Sequence, residues 1–232
     1  MRPLRWIAGA VAVGLGALVV LWGSDRPWTP IDRAMPPVRQ GTDTLRIVTF
    51  GTSLTARGTW PDDLGAALSG CLGRPVEVTR VAEPGASSAW GEGRLAEVIA
   101  ARPDVLLIEF AINDADLRDG LWLNDSIARH DAILTQITSA LPGTSVALMT
   151  MNPAFGARGW ARPRLAAYYR AYDQLAARHK TGVIDLYALW RARPDPRQGI
   201  ADGLHPDATT ASALIAPAVA ASVGAPTGVT CG

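Results

Sequence analysis

A surplus of charge of either sign is missing from this chain. Its 232 residues hold 22 Lys and Arg against 21 Asp and Glu, for a net charge of +1. Nearly all the basic residues are arginines scattered along the sequence. No basic tract and no basic stripe interleaved with aromatics occurs, so the electrostatic footprint of a nucleic-acid partner is absent. Cysteine is scarce: there are two, Cys71 and Cys231. Neither lies near the N-terminus, which argues against a lipoprotein signal. In an oxidising compartment the pair would tie the C-terminal tail to the body; as two free thiols they would carry no such meaning. Internal repeats are absent too. With 48% hydrophobic and 19% charged residues, the chain is too apolar for disorder and long enough for one domain with a sizeable core.

What is present begins at the N-terminus. Arg2 and Arg5 precede an uncharged run from Trp6 to Trp22, followed by Gly23-Ser24-Asp25-Arg26. The apolar core of a signal peptide is about 7–15 residues, and a spanning helix needs at least about 17. Tryptophan at both ends suits a membrane interface, and Val20-Leu21-Trp22-Gly23 is a poor cleavage site. Residues 1–23 are therefore expected to be an uncleaved membrane anchor with its positive end in the cytoplasm, a cleaved signal peptide being the alternative. Either way the rest of the chain is expected outside the cytoplasm, in the periplasm or exterior. Residues 24–44, with Pro27, Pro30, Pro36 and Pro37, are expected to form an extended linker, and residues 45–232 the domain.

Within that domain short apolar runs alternate with longer stretches of helical spacing. The runs are Leu45–Phe50, Val76–Val81, Val105–Phe110, Ser145–Met151 and Val183–Leu186. The helical stretches are Pro61–Leu72, Glu92–Ala101, Ser126–Leu141, Arg162–Arg178 and Thr209–Val223. Unbroken apolar strands separated by helices predict a parallel sheet covered on both faces. The expected fold class is α/β, a three-layer sandwich with five parallel strands. Sites in such sheets form beyond the carboxyl ends of the strands.

Four of those ends carry groups suited to acyl chemistry. Ser53 follows the first run in Phe50-Gly51-Thr52-Ser53-Leu54, where its hydroxyl can face the crevice and following amides can meet a developing oxyanion. Gly85 follows the second run, and a glycine there lets the backbone N–H approach a ligand. Asn113 follows the third and offers a side-chain N–H to a substrate oxygen. Its neighbour Asp114 reads as structural. Near the C-terminus, Asp202 and His205 stand three apart in Asp-Gly-Leu-His-Pro, so the carboxylate can accept the Nδ1–H and leave Nε2 free as a base. His130 and His179 fall in predicted helices and are expected at the surface. Each residue alone also suits a cap or a turn. Together and in this order they supply a nucleophile, two oxyanion donors and an oriented base.

These blocks resemble the SGNH hydrolases, the GDSL-like lipases or acylhydrolases, over roughly residues 45–223. The resemblance implies a flavodoxin-like fold and ester hydrolysis without metal or cofactor. It also implies a triad of Ser53, Asp202 and His205, and an oxyanion hole from the N–H groups of Ser53 and Gly85 with the Asn113 side chain. The chain departs from the family pattern at Thr52, where an Asp is usual, and at Ala111, where a Gly is usual and a slight narrowing of the site is expected. The other hydrolase fold with Ser, Asp and His in that order needs Gly-x-Ser-x-Gly, and Thr55 stands in place of its second Gly. No long hydrophobic lid is evident, which disfavours long acyl chains. The expected substrate is a small-molecule or polysaccharide ester, with O-acetylated carbohydrate suggested by Trp60, Trp90, Trp122 and Trp160 near strand ends. Arg57 and Arg158 are candidates to reach the pocket. An O-acyltransferase using the same triad and a non-catalytic binding module on the same fold remain as alternatives.

Overall fold

The computed structural model describes residues 27–38, 43–118 and 121–231. The expected N-terminal anchor, residues 1–23, lies outside the described residues. The five apolar runs form five strands: β1 (Leu45–Gly51), β2 (Val76–Ala82), β3 (Val105–Glu109), β4 (Ser145–Thr150) and β5 (Gly182–Asp185). All pair in parallel, in the order β2-β1-β3-β4-β5. Strands β3 and β4 are buried at every position, as a strand covered on both faces must be. The edge strand β2 alternates, carrying Glu77, Thr79 and Arg80.

Among the described residues eight α-helices lie between the strands and two follow β5: α1 (Ser53–Ala56), α2 (Trp60–Leu72), α3 (Ser88–Glu92), α4 (Leu95–Ala101), α5 (Ala111–Asp114), α6 (Leu123–Ala140), α7 (Gly156–Trp160) and α8 (Leu165–His179), then α9 (Leu186–Arg191) and α10 (Ala208–Gly224). Helices α2 and α10 pack together, while α4, α6 and α8 form a second packed group. The predicted helix over 92–101 is split by Gly93 and Arg94, and that over 162–178 starts after Pro163, which disfavours a helical residue before it. Ala208–Thr227 is long and apolar enough to cross a membrane, but its Ile215, Val219 and Val223 are buried within the domain.

The chain leaves β1 for β2 on one side, and β3 then returns on the other side of β1. This places the switch point between β1 and β3, where open α/β sheets build their clefts. Two further features tie down the periphery. Cys71 at the end of α2 and Cys231 in the tail form a disulfide across 160 residues. Residues 27–38, read from composition as part of an extended linker, instead pack on the domain. Arg33 and Val183 exchange two backbone hydrogen bonds of 3.0 Å in an antiparallel bridge to the edge strand β5. Trp28 Nε1 donates to Asp185 at 2.7 Å, and Met35 and Val38 are buried. Apolar side chains among the prolines decide this outcome.

Candidate active site

Strand β1 ends under a short turn whose shape rests on a buried carboxylate. Gly51 and Glu109 are direct partners in the β1–β3 register. A Cβ on Gly51 would come within 2.2 Å of the Glu109 carboxylate, so only glycine leaves that side chain its place. Glu109 accepts from Thr52 N at 2.6 Å, Thr52 Oγ1 at 3.0 Å and Thr55 Oγ1 at 2.7 Å. Thr52 caps α1 by accepting from Leu54 N. Ser53 is thus the first residue of α1, where the N–H has no partner inside the helix. Burial pushes the Glu109 carboxyl up to about 7, against the pull of its bonds to Thr52 and Thr55.

Ser53 Oγ lies 2.8 Å from His205 Nε2, and His205 Nδ1 lies 2.6 Å from Asp202 Oδ2. A carboxylate can only accept, so the proton sits on Nδ1 and Nε2 faces the serine hydroxyl as an acceptor. Asp202 Oδ1 also accepts from the N–H groups of Leu204 and His205. Partial burial opposes the Asp202 charge. The bond from the His205 side chain and the two backbone N–H groups outweigh it and hold the carboxyl down to about 2. Asn152 Nδ2 donates to Leu204 O at 2.7 Å, fastening this loop to the end of β4.

The expected oxyanion donors converge on the same cleft. Gly85 has φ +83°, a conformation that favours glycine, and open space where a Cβ would stand. Asn113 Nδ2 donates to Ala86 O at 2.9 Å, and its Oδ1 faces Arg162 Nη2 at 3.3 Å. These contacts orient the amide, with nitrogen toward the Gly85 turn. Asp114 accepts from Ser88 N at 2.8 Å and Ser126 Oγ at 2.6 Å, joining the start of α3 to α6, as a structural residue would. Ala111 does not narrow the cleft. It is buried, and its N–H binds Tyr172 OH at 3.0 Å.

The cleft has a volume of about 450 Å³ and is lined by Ser53, Gly85, Asn113, His205, Pro84 and Leu204, together with Arg57, Asp116, Arg118, Arg158 and Arg162. A second cleft of about 260 Å³ meets it at Ser53, Arg57 and His205 and is otherwise mostly apolar, with Leu54, Pro206, Ala211 and Ile215. Trp60 is no part of either: it is buried, and its Nε1 donates to Leu54 O. Trp90 packs on Phe50 and Phe110. Trp122 and Trp160 are exposed.

Three features go beyond the sequence reading. Glu109 is hidden there inside an apolar run. Arg162 is buried and donates to Ile112 O at 2.6 Å while pairing with Asp116 at 2.8 Å. His130, expected at the surface, is buried behind α5. Its Nδ1–H donates to Ser126 O at 2.8 Å, and its Nε2 accepts from Tyr172 OH at 3.0 Å. Burial lowers its pKa, against the pull of nearby Asp114. Tyr172 in turn accepts from Phe110 N and Ala111 N, pinning the start of the helix that carries Asn113. His179 is partly exposed and pairs with Asp131 at 2.9 Å.

The chain is similar to several solved structures. A lipase/acylhydrolase from Enterococcus faecalis is 26% identical, with a TM-score of 0.70 over 81% of this chain and 98% of that one. An α/β hydrolase enzyme from the metagenome of Lake Arreo is 20% identical, with a TM-score of 0.67 over 78% and 95%. An acetylxylan esterase from Geobacillus stearothermophilus is 20% identical, with a TM-score of 0.66 over 78% and 94%. No curated protein matches the sequence. The family model of the GDSL-like lipases/acylhydrolases matches residues 48–212. With that match, and with the five-stranded parallel sheet of the solved structures, the chain belongs to the GDSL-like lipase/acylhydrolase family and is a hydrolase acting on ester bonds.

Proposed function

We propose that Ser53, His205 and Asp202 act as the catalytic triad of a carboxylic ester hydrolase that passes through an acyl-enzyme. The observation that carries this reading is the continuous hydrogen-bonded chain from Ser53 Oγ through His205 to Asp202, standing in one cleft with Gly85 and Asn113. His205 Nε2 takes the Ser53 proton as Oγ attacks the carbonyl carbon. The oxyanion is met by Ser53 N–H, Gly85 N–H and Asn113 Nδ2. His205 then gives the proton to the leaving alcohol. A water attacks the acyl-enzyme with His205 again as base, releasing the acid and restoring Ser53. Asp202, ionised throughout, holds the tautomer and stabilises the imidazolium.

The acyl group is small and the alcohol is carbohydrate. Support comes from the modest apolar cleft beside Ser53, from exposed Trp160 two residues after the cleft residue Arg158, and from the name of the Geobacillus neighbour. The domain works outside the cytoplasm, held at the membrane by residues 1–23. The Trp6–Trp22 run and the Cys71–Cys231 disulfide support that location.

The test is turnover of 4-nitrophenyl acetate by the full chain and two variants. Ser53→Ala is expected to lose on the order of 10⁴ or more, and Asn113→Ala about 10²–10³. Near wild-type turnover in either variant would overturn the assignment.

A further inference from the structure

The lining of the larger cleft carries an imbalance that ester hydrolysis does not need. Of its charged side chains outside the triad, four are arginines and one is a carboxylate. Asp116 is already committed. It pairs with Arg162 at 2.8 Å and accepts from Arg118 Nε at 2.8 Å, with a second contact to the same guanidinium. Asp202 is held by His205 and two backbone N–H groups. Glu83, just outside the lining, accepts from Trp90. Arg57 and Arg158, in contrast, have no carboxylate partner among the described residues.

Their positions are fixed by the fold around the reacting atoms. Arg57 follows α1, and its N–H binds Ser53 O at 3.0 Å, so it stands one helical turn beyond the nucleophile. Arg158 lies on α7, and its carbonyl accepts from Arg162 Nη1 at 3.2 Å. Its Cγ comes within 3.7 Å of where a Cβ on Gly203 would be, in the Asp202–His205 loop. The two arginines therefore reach the same cleft from either side of β3, one after β1 and one after β4. The apolar cleft beyond Ser53 lacks any charged group except Arg57 at its border and the triad histidine.

Resting on the triad reading above, we infer that this cleft selects esters whose alcohol part carries an anionic group, a carboxylate or a phosphate on a sugar, with Arg57 and Arg158 as its recognition residues. The uncharged acyl group then occupies the small apolar cleft. Guanidinium groups suit both anions because their paired N–H donors match two oxygens at once. Among the described residues that line this cleft the one carboxylate, Asp116, is already paired with arginines.

The experiment compares acetate release from three acetylated alcohols: methyl glucoside, its glucuronate counterpart and glucose 6-phosphate. The full chain is assayed at about 0.01 M ionic strength, where the screening length is ~30 Å, and at about 1 M, where it is ~3 Å. At least one anionic ester is expected to exceed the neutral one in kcat/KM by on the order of tenfold at low salt. That ratio is expected to shrink at high salt and to fall toward one in Arg57→Gln/Arg158→Gln. The carboxylate and phosphate arms separate the two sources of charge. The same three esters are titrated calorimetrically into Ser53→Ala, which reads selection without chemistry. Equal binding of all three esters, or a preference unchanged in the double Gln variant, overturns the inference. A fluorophosphonate probe on the wild-type chain keeps the two readings apart, since failure to label Ser53 strikes the triad and leaves the binding result standing.

Discussion

Glu109 sets two forces against each other, and the outcome can be measured. Three donor groups from Thr52 and Thr55 favour its charged form, while complete burial favours the neutral one. Burial wins, raising the carboxyl from 4.5 to about 7. The unfolded chain releases this proton near 4.5 and the folded chain near 7, so between those values the native state binds more protons. Stability must then fall as pH rises across that window and level off above it. At about 1.4 kcal/mol per pH unit, the raised carboxyl of Glu109 is worth about 3 kcal/mol. Glu109→Gln keeps the shape and an acceptor for Thr52 N, and its amide can donate to Thr52 Oγ1, but it cannot titrate. Urea unfolding of both chains between pH 4.5 and 8.5 isolates the effect, because every other group cancels in the difference. The Gln variant is expected to gain about 3 kcal/mol on the wild type from the acid to the alkaline end. A difference that does not vary with pH, or that runs the other way, would mean that the three donors hold the carboxylate ionised and that burial has been given too much weight.

Further outcomes follow from the same geometry. Asp202→Asn is expected to lower turnover of 4-nitrophenyl acetate by on the order of 10⁴ at neutral pH, because the His205 tautomer is no longer fixed; a loss below tenfold would remove Asp202 from the triad. Gly51→Ala drives a methyl group into Glu109, 2.2 Å from Oε1, and is expected to cost about 1–3 kcal/mol in urea unfolding. Adding Glu109→Ala should make the double variant less unstable than the two single losses combined, and simple additivity would count against the clash. Reducing Cys71–Cys231, or replacing both with Ser, is expected to cost about 2–5 kcal/mol and to lower the melting temperature, since the bond closes a loop spanning 160 residues. An unchanged melting temperature would show that the tail needs no tether.

The strand mouths were legible because two local signals coincide there. An apolar run stops, and a residue with a particular chemical ability follows it, as at Ser53, Gly85 and Asn113. The pairing of Asp202 with His205 was legible because both lie on one turn. Glu109 was not, since its partners Gly51, Thr52 and Thr55 come from the end of β1 and the turn and helix after it, and a glutamate within an apolar run has no local signature. Arg162 and Asp116 likewise meet only through the fold, 46 positions apart in the sequence. His130 is a different case. It shares a helical stripe with Ser126, Ile133 and Ile137, all buried, so the 3.6-residue period already placed it on the inner face. Trp60 stands close after β1 yet turns into the core, because proximity to a strand end does not say which way a side chain turns.

The segment over residues 27–38 changes where this protein can be cut. Bridged to Val183 and anchored by Trp28 on Asp185, it lies along the side of β5 that no other strand among the described residues occupies. A chain begun at residue 45 would leave backbone donors and acceptors of Gly182–Asp185 open along that side. Such a row is a template for strand addition, and a second molecule missing the same piece is its nearest source. Shortened versions would then clump or trade pieces with one another while their hydrolytic centre stayed whole. Loss of soluble protein on trimming would therefore report a bared border of the sheet rather than damage to the chemistry.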